Sequence, residues 1–265
     1  MTLDDVDGEY GVILCDIWGC IHDGVNVYPG AATRLRRWRD AGKTTILITN
    51  APRTAEAVAG QLRGLGLDGA LWDGIATSGD AGIGRLRQAS KPVGFIGTHS
   101  DRAILEERGV RFASAGFDEL ACSGLDETRR AVADYEGELR PLASRGVLMH
   151  CLNPDRIVIR GGVSEPCAGA LADLYVELGG EVEYYGKPYP AVYRHAMALA
   201  GDPSPRNVLA IGDGLTTDVL GAARMGFACA YVTGGISEGE GMPANFAESH
   251  GLGHWRPVAV VSGLD

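Results

Sequence analysis

Four apolar runs in this 265-residue chain end in residues able to do chemistry. Gly11 to Cys15 closes on Asp16, and Thr44 to Ile48 runs into Thr49-Asn50. Val182 to Tyr185 runs into Gly186-Lys187-Pro188, and Val208 to Ile211 into Gly212-Asp213-Gly214, with Asp218 shortly beyond. Open parallel sheets place their ligands outside the carboxyl ends of the strands. If these runs are parallel neighbours, Asp16, Thr49 with Asn50, Lys187, and Asp213 with Asp218 share one edge. Two or three carboxylates, a hydroxyl and an ammonium suit metal-assisted phosphoryl transfer: hard oxygens hold Mg²⁺, and the metal, Lys and hydroxyl donors offset charge on the transferred group. Asp16 is the first choice of nucleophile, since an attacking carboxylate forms an acyl phosphate and divides one hard displacement into two easier ones. Singly, each residue has a plainer explanation. Asp16 and Asp213 precede turns, where Asp caps helices, Thr49-Asn50 could be a turn before Pro52, and Lys187 a solvated loop charge. Four strand ends with complementary chemistry argue for the joint reading.

The elements between these ends are read from patterning. Ala31 to Ala41, Ala55 to Leu65 and Ala168 to Leu178 have helical spacing and stop at Gly42, Gly66 and Gly179. Ala228 to Val232 fits a further strand. Strand and helix alternate, which predicts an α/β fold with a doubly wound parallel sheet. The middle of the chain has its own pattern without acidic strand ends: strands at Val93 to Ile96, Glu119 to Cys122, Val147 to Cys151 and Ile157 to Ile159, and helices near Asp101 to Glu107 and Glu127 to Tyr135. We therefore expect a core from residues 1–80 and 181–265 and an inserted α+β domain over 81–180.

Composition narrows the partners. A net charge of -10 and a pI near 5.1 argue against nucleic acid or an anionic membrane surface as a main partner. No apolar run reaches the roughly 18 residues of a spanning helix, and Asp4, Asp5 and Asp7 make the first residues acidic, so a cytoplasmic protein is expected. The six cysteines are scattered without a Cys-x-x-Cys pair and read as reduced and structural. Gly64-Leu65-Gly66-Leu67-Asp68-Gly69 spells a dinucleotide fingerprint but follows a helical segment, and reads as a helix C-cap. His250 and His254 flank glycines and lack an acidic or Cys partner, which argues against zinc. Arg34, Arg36, Arg37 and Arg39 read as a solvated helix face.

Asp16-Ile17-Trp18-Gly19, Ile48-Thr49-Asn50, Gly186-Lys187-Pro188 and Gly212-Asp213-Gly214 with Asp218 resemble, in order, the four motifs of the haloacid dehalogenase-like superfamily. The chain is most similar to its subfamily IIA hydrolases, which include nucleotide, sugar-phosphate, phosphoglycolate and pyridoxal-phosphate phosphatases. Ser123-Gly124-Leu125-Asp126, Leu152-Asn153-Pro154-Asp155 and Cys167-Ala168-Gly169-Ala170-Leu171 resemble segments of that subfamily's cap domain. The resemblance implies a Rossmann-like core with an inserted cap, and a phosphatase acting on a small phosphorylated metabolite with Mg²⁺ as cofactor. It implies Asp16 as nucleophile and metal ligand, Asp213 as a second ligand, and Asp218 completing or orienting the metal shell. The Trp18 carbonyl would be a third ligand, Thr49 and the Asn50 backbone would hold phosphoryl oxygens, and Lys187 would offset charge. Asn153, Asp155 and Asp126 are the candidates for substrate selection. An exposed cap face often pairs two copies in related proteins, so the resemblance allows a homodimer through the cap.

Trp18 departs from the family's Asp-x-Asp-Gly, whose second Asp protonates the leaving oxygen and later activates water. General acid–base help is worth about 10²- to 10⁴-fold. Another group could substitute, His22 and Asp23 being nearest in sequence, although Asp23-Gly24 favours a solvated hairpin turn. Alternatively an aryl or acyl phosphate departs unaided, or the protein keeps phosphoester binding without turnover. A metal-independent dehalogenase, with an aromatic residue near this position, is a further alternative. Asp213 and Asp218 favour phosphoryl chemistry over it.

Overall fold

A computed structural model describes residues 2–160, 163–235 and 241–265. In chain order the elements are β1 (Val12–Asp16), α1 (Ala31–Asp40), β2 (Thr44–Thr49), α2 (Ala55–Gly64), β3 (Gly74–Thr77), α3 (Ser78–Leu86), β4 (Gly94–Ile96) and α4 (His99–Glu107). There follow β5 (Glu119–Cys122), α5 (Glu136–Ser144), β6 (Leu148–Cys151), β7 (Ile157–Arg160), β8 (Val163–Pro166), α6 (Ala168–Glu177) and β9 (Val182–Tyr184). The chain closes with α7 (Pro190–Leu199), β10 (Val208–Gly212), α8 (Leu220–Met225), β11 (Ala228–Val232), α9 (Phe246–Ser249) and β12 (Ala259–Val261). No described helix is long and apolar enough to cross a membrane.

The fold is α/β and falls into two compact units. One comprises residues 1–49, 56–76 and 187–265, the other 50–55 and 77–186. The first is built on a six-stranded sheet in the order β12-β11-β10-β1-β2-β3. β1 is buried at every residue, as a strand covered on both faces must be, which is why it reads as a continuous apolar run. It pairs in parallel with β2 on one side and β10 on the other. The chain leaves β1 in one direction through β2 and β3 and returns at β10 to build the other half. With right-handed crossovers, that reversal winds helices onto both faces and leaves a crevice at the carboxyl ends of β1 and β10.

The second unit carries a four-stranded parallel sheet, β4-β5-β6-β9, and an antiparallel ribbon of β7 and β8. Its core gathers Leu120, Cys122, Met149 and Cys151 from the sheet with Tyr135, Leu139, Leu171 and Tyr175. Two sequence expectations need correction here. The helix expected over Glu127 to Tyr135 is absent: residues 127–131 are irregular, and a short 3₁₀ turn (Val132–Tyr135) leads into α5. The reason is local, since the Asp126 carboxylate accepts hydrogen bonds from the backbone N–H groups of Thr128 and Arg129 and from the Arg129 side chain. Such an Asx-type turn competes with helix formation. The other correction concerns the run before Lys187, which is β9 of this second sheet. Lys187 therefore does not project from a strand of the six-stranded sheet.

Arg34, expected on a solvated face, is 2% exposed. Its Nε donates to the Leu264 carbonyl at 2.6 Å and its Nη1 to Asp7 at 3.2 Å, while the Trp38 indole N–H donates to the same Asp7 oxygen at 2.7 Å. Helix α1 thus ties both ends of the described chain to the first unit. Arg34→Met keeps the aliphatic stem but leaves Asp7 without its cation and Leu264 without its donor. Removing one partner of a buried ion pair costs about 3–5 kcal/mol, so urea unfolding should show a loss near the lower figure, and a change below about 1 kcal/mol would contradict the assignment.

Candidate active site

The sheet register aligns the candidate residues before any side chain is considered. Asp16 pairs with Ile48 of β2, so Thr49 stands one residue beyond it, and Cys15 pairs with Ile211 of β10, so Asp213 stands two residues beyond. After Asp16 the chain turns at Gly19, whose φ of 90° suits glycine. A Cβ there would collide with the Asp213 carboxylate, and so would one at Gly235. Two glycines therefore let backbone close around Asp213. Beyond Gly214 a π-helical turn (Leu215–Val219) carries Asp218 back toward β10, against Gly212. Such turns concentrate at functional sites.

Lys187 sits at the centre, 3% exposed. Its ammonium donates to Asp16 Oδ1 at 2.6 Å and to Asp218 Oδ1 at 2.7 Å. Asp16 Oδ1 also accepts the Ile17 backbone N–H at 2.8 Å, and Asp218 Oδ2 accepts from Gly214 N–H and the Thr217 hydroxyl. Burial opposes charge on Lys187, yet the two carboxylates prevail and raise its pKa well above the ordinary lysine value. Burial also raises the Asp16 pKa, and repulsion from Asp218 and Asp213 adds to it, with Lys187 only partly opposing. One ammonium among three carboxylates leaves net negative charge in a buried place.

That surplus is what a divalent cation would neutralise, and the donor set fits one. Among the described residues, Asp16 Oδ2 and the Trp18 carbonyl accept no hydrogen bond from the protein. Asp16, Asp213 and Cys20 offer one ligand atom each, all within 4.8 Å of one another and all buried. Asp218 stands outside this cluster, with its carboxylate engaged by Lys187, Thr217 and Gly214. From sequence Cys20 reads as a structural thiol, and only its place one residue past the Asp16-Gly19 motif marks it.

The remaining candidates distribute as follows. Thr49 and Asn50 are buried at the end of β2. Asn50 groups with the second unit, where its side-chain amide donates to Asp155 at 2.8 Å. Asn153 accepts the Asp155 backbone N–H, fixing that turn. Asp126 is committed to Thr128 and Arg129, as its turn requires. The segment 21–24 does open a hairpin-like turn, with His22 bridged antiparallel to Val27, but His22 itself is not solvated: it is 2% exposed, accepts the Gly24 N–H on Nδ1 at 2.8 Å, and meets the Trp18 ring edge-on with centroids 5.1 Å apart. Asp23 is exposed and caps Val25 and Asn26. Gly66, with φ of 90°, closes α2 as a C-cap.

Comparison with known proteins decides the family. Residues 13–111 match the profile described as Haloacid dehalogenase-like hydrolase, and residues 184–264 match a second, HAD-hydrolase-like profile. The chain is 30% identical over 230 residues to the ribonucleotide monophosphatase NagD of Escherichia coli K12, covering 85% of this chain and 88% of that protein. The chain belongs to the haloacid dehalogenase-like hydrolases. Within them it joins the NagD-like subfamily IIA. It is 27% identical to human chronophin over 93% of this chain and 88% of that protein. A haloacid dehalogenase-like hydrolase from Brucella suis 1330 superposes with a TM-score of 0.86 at 32% identity, covering 100% of this chain and 99% of that one.

The excess negative charge in this hydrolase has a measurable consequence. A carboxyl whose folded pKa is raised binds its proton more tightly folded than unfolded, so its ionisation destabilises the metal-free protein as pH rises through that folded value. In chelator-treated protein, Asp16→Asn removes a carboxyl whose charge burial and the neighbouring carboxylates disfavour, and leaves Lys187 paired with Asp218. Its melting temperature should exceed that of the unsubstituted protein, and added Mg²⁺ should stabilise the unsubstituted protein far more than the variant. Equal melting temperatures without metal would contradict the charge assignment.

Proposed function

We propose that this protein is a Mg²⁺-dependent phosphomonoester hydrolase acting on a small phosphorylated metabolite through an aspartyl-phosphate on Asp16. The observation that carries this reading is the buried Lys187 bridge, which engages one Asp16 oxygen and Asp218 while the other Asp16 oxygen receives no hydrogen bond from the described residues. Relatives described as a ribonucleotide monophosphatase and, from Corynebacterium glutamicum, a dihydroxyacetone phosphatase support it. Asp16, Asp213 and the Trp18 carbonyl are the proposed metal ligands, with Asp218 orienting Lys187. Bound Mg²⁺ supplies positive charge beside the transferred phosphoryl group.

Lys187 and the Ile17 N–H fix one carboxylate oxygen of Asp16, which points the other at phosphorus. Near-attack placement of this kind is the larger part of phosphoryl-transfer catalysis. The Thr49 hydroxyl and Asn50 backbone N–H hold phosphoryl oxygens. Residues 81–180 are taken as the substrate-selecting cap domain, with Asn153, Asp155 and Asp126 as its candidates. Attack by Asp16 releases the alcohol as its oxygen gains electron density, and water then cleaves the acyl phosphate and restores Asp16.

The alcohol's departure is where Trp18 matters. An indole offers no carboxyl proton, and His22, a titratable side chain near it in sequence, is buried with its ring against Trp18. Substrates whose leaving oxygen is a weak base, aryl and acyl phosphates, therefore suit this site. With Mg²⁺, p-nitrophenyl phosphate should turn over about 10²- to 10⁴-fold faster than a simple alkyl phosphate, the range that general acid help normally spans. Asp16→Asn should abolish both reactions. If neither ester is hydrolysed while a phosphate analogue still binds, the chain is a binder and the hydrolase reading is wrong.

A further inference from the structure

Cys20 is 3% exposed, and its thiol makes no hydrogen bond among the described residues. The Sγ atoms of Cys15, Cys151 and Cys167 behave differently, each donating to a backbone carbonyl. Cys20 instead directs its sulfur at two carboxylates: one oxygen of Asp16, one of Asp213 and the Cys20 Sγ form the one three-group cluster of metal-ligand atoms among the described residues. Nothing in the proposed phosphatase chemistry uses that sulfur.

We propose that Cys20 gives the centre a second coordination mode, in which a thiophilic divalent cation such as Zn²⁺ or Cd²⁺ is held by Asp16, Asp213 and the Cys20 thiolate in competition with Mg²⁺. The inference rests on the reading of Asp16 and Asp213 as metal ligands. Mg²⁺ takes oxygen donors, keeps several waters and gains nothing from sulfur. A soft or borderline ion selects thiolate. Zinc with bonds of about 2.3 Å to sulfur and 2.0–2.2 Å to oxygen needs its donors about 3.5 Å apart in a tetrahedral shell, and the three donor atoms here lie within 4.8 Å of one another. The fourth position takes water. On coordination the thiol proton leaves to solvent and the sulfur lone pair forms the metal bond. The sulfur then occupies a coordination position that a purely oxygen-ligated ion fills with water, so the two modes exclude each other.

The full-length protein, stripped with a chelator and desalted, is titrated with Cd²⁺ alone while sulfur-to-cadmium charge-transfer absorbance is followed. One Cd²⁺ per chain should generate the band, and millimolar Mg²⁺ should raise the apparent dissociation constant. Cys20→Ser and Cys20→Ala should lose the band and bind Cd²⁺ at least 10- to 100-fold more weakly, since loss of even an outer-shell partner costs that much. Cys15→Ser should keep it. Circular dichroism checks each variant, and should both Cys20 variants misfold, cadmium NMR of the unsubstituted protein decides between a sulfur-containing and an all-oxygen shell. No band, a band unchanged in Cys20→Ser, an all-oxygen shell, or indifference to Mg²⁺ overturns the proposal. Mg²⁺-dependent turnover without the band sinks this mode and leaves the phosphatase reading standing; the band without turnover does the reverse.

Discussion

The ammonium of Lys187 lies within hydrogen-bond reach of Asp16 and Asp218 in a place that water hardly enters, and much of the first unit is arranged to make that tolerable. An unpaired buried cation or carboxylate is costly, and truncating any member of such a set leaves the others uncompensated. The protein answers with hydrogen-bond donors and with close backbone packing. Ile17 N–H serves Asp16, Gly214 N–H and the Thr217 hydroxyl serve Asp218, and the backbone around Asp213 closes in at Gly19 and Gly235. Still the charges do not balance. Two buried carboxylates share one lysine and a third, Asp213, lies close to Asp16, and that surplus of carboxylates is the physical reason to regard the cluster as suited to a cationic partner.

Packing enforces the same geometry. β1 presents no exposed residue, so the position of Asp16 is fixed by a strand held on both sides by hydrogen-bonded neighbours and on both faces by apolar contacts. Gly212 lets Asp218 lie directly against β10, and Gly214 leaves room for the Thr217 hydroxyl. These glycines mark places where a Cβ would push a carboxylate out of reach of Lys187, and their function is steric. On α1, Arg34 holds Asp7 and the Leu264 carbonyl together, joining segments far apart in sequence.

What the amino-acid order reveals depends on the range of the interaction that decides each feature. β1, β2, β10 and β11 are legible because burial on both faces leaves an uninterrupted apolar run, and the residues at the ends of β1, β2 and β10 follow from that. α3, β3, α7, α8 and β8 give weaker signals: β3 is only four residues long and α8 only six, although α7 and α8 stop at Gly201 and Gly226 as α1 stops at Gly42. The false helix at Glu127 to Tyr135 shows a local contest that periodicity cannot see, because one carboxylate, Asp126, captures two backbone donors. Lys187 was placed in the site by its motif and yet carried by the wrong sheet, since nothing in Val182 to Tyr185 states which neighbours it pairs with. Long-range partners are likewise invisible: Arg34 looked solvated because Asp7 and Leu264 lie far away in sequence.

Trp18 and Cys20 bring these strands of argument to one point. On the mechanism proposed, the two side chains flank a glycine turn whose carbonyl and carboxylate neighbours do the metal and nucleophile work, and both depart from what that work needs. Trp18 offers no carboxyl proton and packs edge-on with His22. Cys20 adds a donor with no part in oxygen-ligated magnesium chemistry. A loss of turnover under weak constraint would be expected to erode the costly parts of the site first, above all the buried Lys187 with its carboxylates. Those are intact, whereas on the proposed mechanism the two side chains bear only on the leaving group and on the choice of ion. The pattern therefore fits a centre retuned in its leaving-group and metal preferences better than one that has fallen out of use.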